Sequence, residues 1–308
     1  MKIVVFGAGA VGTFFGGLLV RGGQDVSFVA RGAQLEALRN GGIRIESSLL
    51  GEIQVAPVHA VERAAEIGKA DLVLICVKSH QTAAIGADVA AMLSDRGAAV
   101  TLQNGVESDE ILASTVGRER VIPGVVYVGA TVARPGVVSH VAAGTIALGA
   151  PDGVDPSRLP AIRDVLAKSG QPVRISSEIN RDRWRKLIWN AAFNTVSAIT
   201  CLEPAELLAM PATRELLRAV MLEVVVVARA RGIPLRDEDV DDQITWTERA
   251  GAIRTSTTVD RERGREMETD ALIGVVVRQG RARGVATPYS AAVHALLEGI
   301  DVRLRSDD

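Results

Sequence analysis

The chain has 308 residues, room for two domains of ordinary size, and 47% of them are apolar, which excludes disorder as its general state. Thirty-five basic residues against 37 acidic leave a formal charge of −2, and aromatics are sparse (3 Trp, 2 Tyr, 5 Phe); both argue against a broad nucleic-acid surface. Cys76 and Cys201 have neither disulfide-framework nor metal-ligand spacing and read as buried, reduced thiols of a cytoplasmic protein.

In chain order, short β-branched runs alternate with helix-period segments. Ile3–Phe6, Val26–Val29, Leu72–Val77 and Ala98–Leu102 read as buried strands. Ala10–Arg21, Ala33–Asn40, His80–Leu93 and Ser108–Val116 read as helices, the first two stopped by Gly22-Gly23 and Gly41-Gly42. Val125–Val132, Val137–Val141 and Thr145–Gly149 read as antiparallel strands turning at Arg134-Pro135-Gly136. Beyond residue 176 the strand pattern stops. Helices are expected over about 179–200, 212–231, 236–251, 255–283 and 288–300, broken at Pro204, Pro211, Gly232-Ile233-Pro234 and Pro288, with a frayed tail at Arg305–Asp308. The organisation is an α/β domain with a mainly parallel sheet, 1–176, followed by an all-α domain, 177–308. Lys2–Val20 superficially resembles a secretory signal, but its glycines suit a tight turn better, and no stretch reaches 18 unbroken apolar residues. No membrane partner is expected.

Ile3–Phe6 runs into Gly7-Ala8-Gly9-Ala10-Val11-Gly12 and then a helix. Strand, G-x-G-x-x-G and helix in this order make a dinucleotide turn: Gly7 for the bend, Gly9 for approach of a pyrophosphate, Gly12 for helix-on-strand packing. The helix start offers its free N–H groups to the phosphates. Where an NAD site usually places a carboxylate, the second strand ends Phe28-Val29-Ala30-Arg31-Gly32. Arg31 can pair with a ribose 2′-phosphate, which favours NADP. Two more strand ends lead into Lys78, able to reach phosphate or a substrate carboxylate, and into Gln103-Asn104-Gly105, with Asn104 near a nicotinamide.

Within Trp184-Arg185-Lys186-Leu187-Ile188-Trp189-Asn190-Ala191-Ala192-Phe193-Asn194, three polar residues recur at i, i+4 and i+8. Lys186, Asn190 and Asn194 form a stripe on an otherwise apolar helix, and such a stripe needs a cavity or polar partners. A partly buried lysine of lowered pKa can protonate a ketone oxygen as hydride arrives at its carbon, with the asparagines orienting it or binding substrate oxygens. His59, His80, His140 and His294 show no metal spacing, so no metal is expected.

Gly7–Gly12, Arg31, Lys78, Gln103-Asn104-Gly105 and the Trp184–Asn194 motif resemble the ketopantoate reductase (2-dehydropantoate 2-reductase) family. Ser256, Asp260 and Arg265–Asp270 followed by Gly274 match a second signature of that family, so the resemblance spans nearly the whole chain. It implies a Rossmann-type domain, a helical domain, and NADPH-dependent reduction of a 2-oxo acid in the cleft between them: ketopantoate to pantoate, a step toward pantothenate and coenzyme A. It further implies Lys186 as proton donor and Glu268 positioning the lysine or the cofactor ribose. Asn104, Asn190, Asn194 and Ser256 would contact substrate or cofactor. Ile253, Met267 and Ile273 depart from the family pattern, where Asn, Thr and Asn are usual. A paralogue reducing another branched 2-oxo acid is therefore the alternative, and a non-catalytic NADP sensor a weaker one. The expected partner is a small 2-oxo acid, and a homodimer is compatible with the chain.

Overall fold

The computed structural model describes residues 1–306, so Asp307 and Asp308 of the tail expected to fray lie outside the described residues. The chain forms two compact units: Met1–Asn104 with Ser108–Ile179, and Gly105–Glu107 with Asn180 onward. Residues 105–107 thus pack with the helical unit, which a single boundary near 176 does not describe.

The first unit begins β1 (Lys2–Phe6), α1 (Ala10–Arg21), β2 (Asp25–Val29), α2 (Gly32–Gly41), β3 (Ile43–Ser47), β4 (Gly51–Val55) and β5 (His59–Val61). It continues through β6 (Ala70–Ile75), α3 (Thr82–Met92), β7 (Leu93–Thr101), α4 (Ser108–Val116), β8 (Val121–Arg134), β9 (Val137–Leu148), α5 (Leu159–Leu166) and β10 (Val173–Ile175). Strands run β4-β3-β9-β8-β7-β6-β1-β2-β5, with β10 beside β9. The stretch from β8 to β5 is parallel throughout and, taken from β5, has the doubly wound order 3-2-1-4-5-6. Its chain reversal falls between β1 and β6, so the loops after those strands flank the natural ligand crevice. The strands read as unbroken apolar runs because both faces are covered: Ile3 and Val5 join one core with Phe14 and Phe28, Val4 and Phe6 another with Val73 and Ile75.

Several sequence expectations change here. Val137–Val141 and Thr145–Gly149 are one strand, β9, whose pairing with β8 shifts where Ala143 and Gly144 take positive φ. A bulge looks like a turn in sequence because it too needs an extra, unpaired residue. Elements β3, β4, β5, α5 and β10 carry too few apolar residues each to stand out. Cys201 is exposed, not buried, because it ends its helix in a left-handed conformation (φ 62°).

The second unit holds α6 (Ile179–Trp189), a π turn Asn190–Asn194, α7 (Thr195–Thr200), α8 (Pro204–Ala209), α9 (Pro211–Ala230) and α10 (Glu238–Arg249). It ends with α11 (Ser256–Glu262), a second π turn Asp270–Gly274, α12 (Val275–Ala282) and α13 (Pro288–Ser306). One core serves it, including Leu187, Phe193, Val220, Val224, Ile273 and Leu297. The single helix expected over 255–283 is two. Gly264 (φ +65°) ends α11, and residues 265–268 are irregular before the chain winds again. None of the described helices is long and apolar enough to cross a membrane.

Candidate active site

At the end of β1 the backbone turns through Gly7 at φ +101°, a conformation in which a Cβ would stand 2.6 Å from the Val77 nitrogen. At Gly12 a Cβ would lie 2.2 Å from the Gly7 carbonyl oxygen, so only glycine lets α1 start this close to its own turn. Gly9 is exposed and has nothing within 4 Å of where its Cβ would be. That opening, beside the uncapped start of α1, fits a pyrophosphate on the residues 7–12. Ala8 is buried, while Ala10 and Val11 are half-buried in the first turn. Arg31 is exposed at the position before α2 and at the end of β2, where nothing acidic competes with it in the first turn of that helix.

The loop after β6 is held by Gln103, whose Nε2 donates to the Val77 carbonyl at 3.0 Å and the Thr82 hydroxyl at 2.8 Å. Its Oε1 is buried and accepts no hydrogen bond. Sequence reasoning passed over Gln103 in favour of its neighbour, yet this side chain ties the ends of β6 and β7 together. Lys78 and Asn104, both half-buried, stand at those two strand ends. The structure therefore gathers Gly7–Gly12, Arg31, Lys78 and Asn104 at the C-terminal ends of β1, β2, β6 and β7. The donors and the open glycine face fit a dinucleotide phosphate.

In the helical unit, α6 is fixed by Asp239, buried at 2% exposure, which accepts from Arg181 at 3.2 Å and Arg185 at 3.1 Å. Trp189 donates its indole N–H to Thr247 at 2.9 Å. With its exterior pinned, α6 presents Lys186 from its inner side, and the π turn follows at once. A π turn winds less per residue than an α turn. Asn194 is thereby brought back over Asn190 instead of drifting round the helix.

Asn190 and Asn194 are 5% and 3% exposed, and Asn194 Oδ1 accepts no hydrogen bond. Ser197, one turn on, likewise has a buried hydroxyl without a partner, a residue no sequence signal separated from ordinary helix serines. Orphaned acceptors in an otherwise apolar core are costly, about 1–3 kcal/mol each. Lys186 keeps part of its surface open, but the packing around its ammonium desolvates it and pushes its pKa down to about 8, while the Glu268 carboxylate pulls it back up. Glu268 is itself 8% exposed and sits immediately before the second π turn, which packs against the first. The structure thus brings Lys186, Asn190, Asn194 and Glu268 into one helical cluster. Ser256 is exposed at the first position of α11, a helix that packs on α7 and the π turn.

Of the three departures, Met267 (2% exposed) and Ile273 (0%) belong to the apolar core and do not face a ligand; only Ile253 is partly open. The expectation that all three bear on substrate recognition is corrected accordingly. Among the described residues no group of three or more His, Cys, Asp or Glu could hold a metal ion.

Comparison with known proteins covers both units. Residues 3–153 match the family described as ketopantoate reductase PanE/ApbA, and residues 178–301 match its C-terminal part. A 2-dehydropantoate 2-reductase of Mesorhizobium japonicum is 35% identical, covering 98% of each chain. The crystal structure of 2-dehydropantoate 2-reductase from Geobacter metallireducens superposes with a TM-score of 0.92 at 33% identity, over 97% of this chain and 99% of that one. A PanE/ApbA family ketopantoate reductase from Ralstonia eutropha gives 0.90 at 34%, over 99% and 100%.

Proposed function

The chain belongs to the ketopantoate reductase PanE/ApbA family, and from that premise we propose that it reduces 2-dehydropantoate to pantoate with NADPH. As a member it is an oxidoreductase that interconverts a ketone and a CH–OH group with a nicotinamide cofactor. In this reading residues 1–176 bind the dinucleotide and 177–308 carry the substrate and acid chemistry.

Gly7, Ala8, Gly9, Ala10, Val11 and Gly12 seat the pyrophosphate, Arg31 takes the 2′-phosphate, and Lys78 and Asn104 reach the cofactor from the neighbouring strand ends. The cofactor supplies the hydride that reduces the C2 ketone. Lys186 stands as the ammonium that stabilises negative charge developing on the ketone oxygen and gives it a proton, leaving a neutral amine that solvent reprotonates. Glu268 keeps that ammonium protonated near neutral pH. Asn190, Asn194, Ser256 and Asn104 supply hydrogen bonds to substrate oxygens. Asn194 Oδ1 is suited to a substrate hydroxyl, because a donor arriving there removes a buried orphan.

The observation that carries this reading is Lys186: a desolvated ammonium of pKa about 8, beside a buried carboxylate and in line with two buried asparagines. A second reading, reduction of another branched 2-oxo acid, draws on Ile253 alone. Following NADPH oxidation with ketopantoate, pyruvate and larger 2-oxo acids separates the two. Ketopantoate should give the highest kcat/KM, and a preference of tenfold or more for an apolar 2-oxo acid would refute the pantoate assignment.

A further inference from the structure

Glu268 does not stand on a helix. It closes the irregular stretch 265–268, and only its carbonyl is engaged by the helix that follows, accepting from Leu272 N–H at 3.1 Å. A side chain on such a stretch keeps its aim only if the backbone on both sides is tied down. Both flanking residues are tied to one group. Met267 N–H donates to Asp301 Oδ1 at 3.2 Å, and the Thr269 hydroxyl donates to Asp301 Oδ2 at 3.0 Å.

Asp301 lies more than thirty residues away on α13 and is 3% exposed, while Met267 and Thr269 are 2% and 6% exposed. The other end of α13 is fixed too. Glu223 on α9, 9% exposed, accepts from the N–H groups of Tyr289 at 2.9 Å and Ser290 at 2.7 Å. The clamp on Glu268 is therefore referred to the body of the helical unit. A carboxylate held this deep costs free energy that packing alone would not require.

We propose that Asp301 is a positioning residue: with one carboxylate oxygen on each side, it fixes the backbone from which Glu268 acts on Lys186. The proposal rests on the reductase reading, in which Lys186 is the acid. Asp301 touches neither substrate nor cofactor in it.

The test follows Lys186 itself. The chain has only five lysines (Lys2, Lys69, Lys78, Lys168 and Lys186), so the side-chain signals of lysine-labelled enzyme can be titrated by NMR and Lys186 assigned from Lys186→Met. Asp301→Ala should move the Lys186 midpoint downward by about half a pH unit or more, because Glu268 no longer supports the ammonium. It should also cut kcat about tenfold at pH 8 while NADPH affinity stays within about twofold. Asp301→Asn keeps an oxygen for Met267 and offers an amide to the Thr269 oxygen, so it should restore most of both.

In a Glu268→Gln background, Asp301→Ala should add no further shift, since its effect passes through the carboxylate. An unmoved Lys186 midpoint in Asp301→Ala, whatever its Tm, would overturn the proposal, as would equal shifts in the Ala and Asn variants. If the alanine variant does not fold, Thr269→Val removes one bond at nearly constant size. It should shift Lys186 in the same direction, and no shift there also overturns the proposal. Absence of 2-oxo acid reduction by the unmodified enzyme would refute the reductase reading alone, because the titration still decides the role of Asp301.

Discussion

A lysine whose ammonium is desolvated is a liability to the fold and an asset to the chemistry, and the two should separate on mutation. Lys186→Met should lower kcat by about 10²- to 10⁴-fold with NADPH binding retained. It should also stabilise the protein at neutral pH by on the order of 1–3 kcal/mol, read as a raised Tm. The sign follows from the lowered pKa. Between about pH 8 and the ordinary lysine value the unfolded chain holds the extra proton, so the native protein gains stability as pH rises through that window, and the methionine variant should lose that slope. Turnover should run the other way, falling as pH rises through about 8 and the acid is lost; a rate constant through pH 9 would deny Lys186 its role. Lys186, Asn190 and Asn194 were legible because polar residues at helical spacing in an apolar helix are expensive without a purpose. Asp301 was not, since nothing in a sequence links an aspartate on α13 to two donors on the far side of a loop.

The phosphate turn and α1 are a single element in energetic terms. Gly12→Ala would drive a methyl to within 2.2 Å of a backbone oxygen that has nowhere to go. It should destabilise the first unit by about 1–3 kcal/mol and abolish tight NADPH binding, measurable by calorimetry and by fluorescence titration. Retained affinity would mean that the turn is not the pyrophosphate site. Strands β1, β2, β6 and β7 were readable because double burial leaves unbroken β-branched runs. The β9 bulge and the break after α11 were misread for a shared reason. A bulge mimics a turn, and a loop of Arg265, Glu266, Met267 and Glu268 has the composition of a helix; tertiary bonds, not propensity, hold it open.

Across the molecule, each unit has its own core, the first on both faces of a parallel sheet and the second among helices. A ligand bound only by the first unit should therefore report on that unit's unfolding. NADPH at about a hundred times its dissociation constant should stabilise it by about 2.7 kcal/mol. Arg31→Ala should shrink the NADPH-induced rise in Tm while leaving that from NADH nearly unchanged. Equal losses for both cofactors would refute the 2′-phosphate assignment. The doubly wound order of the sheet was implied by alternating β and α segments, whereas the added β3, β4, β9 and β10 pairings depended on long-range contacts that no local pattern encodes.

The π turn at Asn190–Asn194 also limits how this gene can change. A π turn amounts to one residue more than an α-helix of the same path would use. Deleting any one of the five would let the helix relax to regular winding and rotate everything after it by about 100° relative to Lys186. Neither Asn194 nor the α7 face behind it would then meet its present neighbours. Point substitutions between residues 186 and 200 can be absorbed one at a time, but a single-codon deletion there has no such gradual route. Length in this stretch, more than any one side chain, should be what descent holds constant.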